Sequence, residues 1–152
     1  MRFYPPLFFQ RIWVVRFDDG FSGVHVKIKK SVLNKNYNNS IFGGTIFSAA
    51  DPFYPVLFHQ QLTGKGYRVI AWSKSSQVQY LKPCKTDVYF KIELQGHDIT
   101  ECQEVLNTSG KFTKNYQIDM YDKKGELCVS VIIEVYVRDL NFDVGKTDPI
   151  IE

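Results

Sequence analysis

The apolar positions of this chain switch between two periods, and the switches mark out its elements. In WVVRF (13–17) and GVHVKIKK (23–30) apolar residues alternate with polar ones, so that Val24, Val26 and Ile28 share one side. That spacing predicts two strands around a turn at DDGFSG (18–23). Residues 1–11 read as an irregular lead-in, and NKNYNNS (34–40) is a loop by composition. From Thr45 to Leu62 the alternation stops. Ile46, Phe47, Ala49, Ala50, Phe53, Val56, Leu57 and Phe58 cover most of a helical circumference, which predicts a helix buried nearly all round. Pro52 and Pro55 fall inside it, and each removes a hydrogen bond and should bend the axis.

TGKG (63–66) ends that helix, and strands follow in YRVIAWSKSSQVQYL (67–81) and TDVYFKIELQG (86–96). A second helix is signed over DITECQEVLNTSG (98–110). Asp98 can cap it, Glu101 completes a capping box, Ile99, Cys102 and Leu106 form one apolar face, and Gly110 stops it. The last third is a hairpin, FTKNYQIDMYD (112–122) turning at KKGE (123–126) into LCVSVIIEVYVRD (127–139). Leu127, Val129, Val131, Ile133, Val135 and Val137 alternate onto one face, whereas residues 141–152 read as a peripheral tail. One fully apolar helix and several long antiparallel strands have a natural solution: the sheet wraps the helix, because nothing else in the chain is large enough to cover it. The expected class is α+β, a hotdog fold, with one domain over 1–152 and its core over 12–140.

Composition narrows this picture. A length of 152 residues suits one domain, and 44% hydrophobic residues with 15% aromatics are enough for a core. Lys plus Arg number 19 against 16 Asp plus Glu, a net +3 without any basic run, so no nucleic-acid partner is expected. Cys84, Cys102 and Cys128 form no CxxC pair, so neither a metal site nor a disulfide framework is expected. No leader is evident, since MRFYPPLFFQRIW carries two prolines and Arg11. No apolar run approaches the roughly 20 residues a membrane span needs, so no membrane partner is expected and a reducing cytoplasm is the simplest address.

FGGTIFSAAD (42–51) and SKSSQVQYLKP (73–83) carry a family likeness. The first resembles the HGG…D segment of hotdog acyl-CoA thioesterases of the phenylacetyl-CoA type. The second resembles the strand after the helix in those proteins, which ends in an aromatic, Leu or Met, one residue and Pro. The chain is also similar to a hotdog domain family of unknown function, and the likeness covers residues 24–137. The resemblance implies hydrolysis of an acyl-CoA thioester by a homodimer, which could pair further into a tetramer, with no cofactor beyond the coenzyme A of the substrate and no metal. It implies that Asn36 belongs to a substrate loop. Gly43 would polarise the thioester carbonyl through its N–H, Asp51 would be general base or nucleophile, and Ser73 would position water. The family's His is Phe42 here, which removes an imidazole from the substrate site and, with it, the histidine that dehydratases of this fold require. His25, His59 and His97 lie elsewhere.

The residues support this chemistry on their own terms. Gly43 and Gly44 lead into a helix start, where free N–H groups and the dipole favour developing negative charge and a small residue allows close approach. Asp51 can take the proton of water, and burial would favour that role. Eight residues separate Gly43 from Asp51, about 12 Å at helical rise, whereas one carbonyl must lie about 3 Å from both donor and water. Two antiparallel helices across a two-fold axis bring Gly43 of one subunit to Asp51 of the other, so the spacing predicts a dimer with shared sites. Lys82 could meet a coenzyme A phosphate. The same residues have plain structural readings. The glycines permit a tight turn, Asp51 accepts N–H groups freed by the prolines, Ser73 is a small inward residue, Asn36 forms a turn and Lys82 is solvated. A non-catalytic acyl-CoA or fatty-acyl binding protein is the alternative function, and a purely structural hotdog whose own aromatics fill the pocket is the third.

Overall fold

The strand-period segments pair into one antiparallel sheet in the computed structural model, which describes residues 4–142. The strands are β1 (Ile12–Phe17), β2 (Gly23–Ile28), β3 (Val69–Tyr80), β4 (Val88–Glu93), β5 (Lys111–Asp122) and β6 (Leu127–Asp139), in the order β1-β2-β4-β5-β6-β3. The helices are α1 (Pro5–Phe9), α2 (Gly43–Ala50), α3 (Phe53–Gly64) and α4 (Gly96–Ser109). β4 and β5 are in register only at Val88↔Asp122 and Tyr89↔Tyr121, and α4, which connects them, packs against β5 and α3. Aromatic contacts seat α3 on the sheet: Phe53 meets Phe90 with ring centroids 6.2 Å apart, Phe58 meets Phe112 at 5.7 Å, and Tyr54 stacks on Tyr116 at 4.5 Å. This is the hotdog arrangement.

The alternation of β6 holds where it matters: Val129, Val131, Ile133, Val135 and Val137 are all fully buried. Leu127 departs from it and is 38% exposed, because the ladder slips between Met120 and Tyr121 and pairs Tyr121 with Leu127. Past that bulge the inward position belongs to Cys128.

The lead-in expected to be irregular contains α1, which Pro5 starts at a position where its missing N–H costs nothing. The single central helix is two helices broken at Asp51 and Pro52, where the proline removes a bond to the preceding turn. Nor is it buried all round. Ile46, Ala49, Ala50, Phe53, Leu57 and Phe58 face the core, but Phe47 is 42% exposed and Asp51, His59 and Gln60 are exposed as well. Residues 143–152 of the expected tail lie outside the described residues.

Helix α4 begins earlier than its strongest cap signal. Gln95 is the N-cap, and Asp98 is the third helical residue, its carboxylate accepting the Gln95 N–H at 2.9 Å. The other Asp98 oxygen accepts from Lys114 at 2.9 Å and from the Tyr116 hydroxyl at 3.2 Å, tying α4 to β5, while Glu101 pairs with Lys114. Burial opposes the Asp98 charge, but Lys114, the Gln95 N–H and Tyr116 together hold its carboxyl below the usual range. A lowered carboxylate pKa contributes stability that is present above the unfolded value of about 3.9 and is lost as pH falls through the folded value. Asp98→Ala is therefore expected to cost about 2–3 kcal/mol in urea unfolding at neutral pH. That difference should shrink in acid.

Candidate functional site

The loop before α2 is built to present the helix start. Asn36 Oδ1 accepts the N–H groups of Asn38 and Ser40 at 3.0 and 3.1 Å, and its amide nitrogen donates to Ser40 Oγ at 2.9 Å. Its side chain is thus committed to its own turn. The Phe42 N–H donates to the Asn34 carbonyl at 2.7 Å and the Ile41 N–H to Cys84 at 2.9 Å, which fixes the entry to the helix. Phe42 is the N-cap, in extended conformation with ψ 133, and Gly43 is the first helical residue.

The first N–H groups of a helix have no intrahelical acceptor. The Phe42 carbonyl takes those of Thr45 and Ile46 at 3.0 and 3.3 Å, and the N–H groups of Gly43 and Gly44 have no acceptor among the described residues. At both glycines an aromatic side chain comes close to the backbone. A Cβ on Gly43 would lie 2.9 Å from the Tyr80 hydroxyl oxygen, and one on Gly44 would lie 2.4 Å from the Phe42 ring. Gly43 and Gly44 open onto a pocket of about 390 Å³, with Asn36, Ile46, Tyr80 and Lys82 among its lining. Four of the residues singled out in the sequence, Asn36, Gly43, Gly44 and Lys82, therefore meet in one place.

Phe42, Asp51 and Ser73 do not line it. The Phe42 ring, 57% exposed, borders a separate cavity with Asn34, Thr45 and Ser48. Asp51 borders a third cavity of about 260 Å³, between α1 and α2, with Tyr4, Leu7, Phe47 and Ser48. Ser73 sits beside Asp51 in a way the prolines explain. Residue 55 of a regular helix would donate its N–H to the carbonyl of residue 51, and Pro55 has none. The Ser73 hydroxyl donates to that carbonyl instead, at 2.8 Å, and pins the helix break to the bulge in β3. The expected burial of Asp51 is not found within one chain, where the residue is exposed.

Lys82 is not a free cation. Its ammonium donates to Asp122 at 3.0 Å and to Glu126, and these hydrogen bonds, Glu126 first, raise its pKa. The trio carries net negative charge, which disfavours a phosphate at this lysine. Tyr80 was not assigned a role by sequence reasoning. Its hydroxyl donates to the Gly43 carbonyl at 2.9 Å, and burial, then Cys84, holds its pKa above the ordinary phenol value. The only sequence signal for this contact is a glycine in α2 and an aromatic at the end of β3, in segments far apart along the chain. Among the described residues no cluster of three or more His, Cys, Asp or Glu could hold a metal ion, and no helix is long and apolar enough to cross a membrane.

The family model described as "Domain of unknown function (DUF4442)" matches residues 2–137. No curated protein sequence matches the chain. Solved structures do. A protein of unknown function from Pseudomonas aeruginosa, described as a probable thioesterase, is 16% identical over 86% of this chain and 84% of that one, with a TM-score of 0.74. A protein of unknown function from Chlorobaculum tepidum is 11% identical over 90% and 88%, with a TM-score of 0.76. The PaaI protein of the E. coli phenylacetic acid degradation operon is 15% identical over 90% and 84%, with a TM-score of 0.62. These likenesses agree with the hotdog fold.

Proposed function

The chain belongs to the family described as "Domain of unknown function (DUF4442)", and from that premise we propose that it hydrolyses acyl-CoA thioesters in a site shared between two copies. The observation that carries this reading is the disposition of α2: Gly43 and Gly44, whose N–H groups have no acceptor among the described residues, line a pocket at its start, and Asp51 lies exposed at its end, eight residues after Gly43. The donors receive the oxyanion that forms when water attacks the thioester carbonyl. Asp51 takes the proton of that water, the C–S bond breaks, and the proton passes to the departing coenzyme A thiolate, giving a carboxylic acid and free coenzyme A. About 12 Å of helix separates the two parts within a chain, so the Asp51 that serves a given Gly43 comes from a second copy. Two features of the surface support such a pairing. Among the described residues β3, twelve residues long, ends the sheet order and pairs only with β6, and Phe47 and Asp51 are exposed, Asp51 being tied to β3 by the bond from Ser73. The thioesterase description of the Pseudomonas aeruginosa structure points the same way.

A second reading, binding of acyl-CoA without turnover, draws on Phe42, whose ring lies over Gly44 where the resembling family has an imidazole. Release of free thiol from short, medium, long and aromatic acyl-CoAs separates the two. Turnover on any of them supports the hydrolase. Saturable binding with no thiol released supports the binding protein.

A further inference from the structure

We infer that Tyr80 is a positioning residue of the oxyanion site, acting through the peptide that joins Gly43 to Gly44; this rests on the thioesterase reading above. The carbonyl that accepts the Tyr80 hydroxyl at 2.9 Å and the N–H of Gly44 belong to one amide. Donation to an amide oxygen draws charge toward it and makes the N–H of the same unit a stronger donor, as hydrogen bonds in a chain polarise one another. In a trans peptide the two groups point in opposite directions. Tyr80 therefore pulls from one side while the Gly44 N–H faces the open end of α2.

Two independent observations place this at the pocket. Tyr80, Gly43 and Gly44 line the same pocket. Among the described residues the Gly44 N–H also has no acceptor, since the Phe42 carbonyl serves Thr45 and Ile46. The contact is tight, because a Cβ at position 43 would come within 2.9 Å of the hydroxyl oxygen and 3.1 Å of the ring carbon that bears it. Gly43 is thus the residue that lets the phenol reach the backbone, and the oxyanion site gains a second donor in Gly44, tuned from β3.

The test is Tyr80→Phe, which keeps the ring and removes only the hydroxyl. Losing one neutral hydrogen bond that acts through the donor is expected to lower kcat about three- to tenfold while KM stays within about twofold. That is less than the hundredfold or greater loss typical of deleting an oxyanion donor outright. A second readout does not depend on turnover. The carbonyl stretch of an isotope-labelled acyl-CoA, bound to the Asp51→Asn chain, is expected at lower frequency with Tyr80 than with Tyr80→Phe. The probe is the best substrate of the panel or, if none is hydrolysed, the tightest-bound acyl-CoA. A kcat unchanged by Tyr80→Phe, or a carbonyl stretch that does not move, overturns the role of Tyr80 and leaves the hydrolase standing. Absence of turnover in the wild-type chain overturns the hydrolase itself. A merely structural Tyr80 would lower the yield of folded protein without moving the carbonyl frequency.

Discussion

Asp51→Asn is expected to lower acyl-CoA turnover by about 10²–10⁴-fold, the range general-base catalysis contributes. The substitution is nearly isosteric and sits at an exposed position. The contact that holds this residue runs through its backbone carbonyl to Ser73, which an asparagine leaves in place. Folding and assembly should therefore survive, and KM should change far less than kcat, because the carboxylate acts on water in the transition state rather than on bound thioester. Steady-state kinetics beside a thermal melt and a sedimentation measurement check all of this together. Full turnover in a folded Asp51→Asn chain would leave the acid without a catalytic role.

Gly43→Pro should be nearly as severe, for a reason peculiar to its place. Gly43 is the first residue of α2, where proline is well tolerated, and Phe42 already has the extended ψ of 133 that a residue before proline needs. The substitution thus removes one N–H while leaving the helix able to form. The ring must displace the Tyr80 hydroxyl, which lies 2.9 Å from where a Cβ would stand, but that is the end of a side chain on the pocket wall. The loss of a donor aimed at the oxyanion is expected to cost about 10²–10³ in kcat. Gly43→Pro with a wild-type melting profile and unchanged kcat would remove the oxyanion site from the helix start.

Much of the architecture follows from the pattern of residues. The alternation of β6 and the apolar density of 45–62 demand a wrapped helix, and the turn chemistry of 34–40 demands a loop at its entrance. The departures share a cause, which is that local signals do not report partners distant in sequence. Leu127 continues a perfect alternation but lies beyond a bulge set by the pairing of Met120 and Tyr121, so its side faces out. α1 is five residues long and opens with prolines, too short and too irregular for periodicity to register. Phe47 reads as buried because it is apolar, whereas a single chain leaves it uncovered. Asp98 has the residue type of a cap but is the third helical residue, its carboxylate reaching back to the N–H of Gln95, the actual N-cap.

The site divides along similar lines. The gathering of Asn36, Gly43, Gly44 and Lys82 around one pocket agrees with their order in the chain, although Asn36 and Lys82 spend their polar groups on protein partners. The bond from Ser73 to the Asp51 carbonyl follows from Pro55 only once α3 and β3 are known to touch. Tyr80 reaches Gly43 across thirty-seven residues of chain, and neither residue type announces the contact.

The central claim is that Gly43 and Asp51 of different copies form one site, and complementation tests it directly. Asp51→Asn and Gly43→Pro chains, each inactive alone, are unfolded, mixed in equal amounts and refolded together. Random pairing makes about half the dimers mixed, and each mixed dimer holds one site with both residues intact, so about a quarter of wild-type turnover should return. A mixture of folded dimers as inactive as its two components would place both residues in a site within one chain and contradict the account.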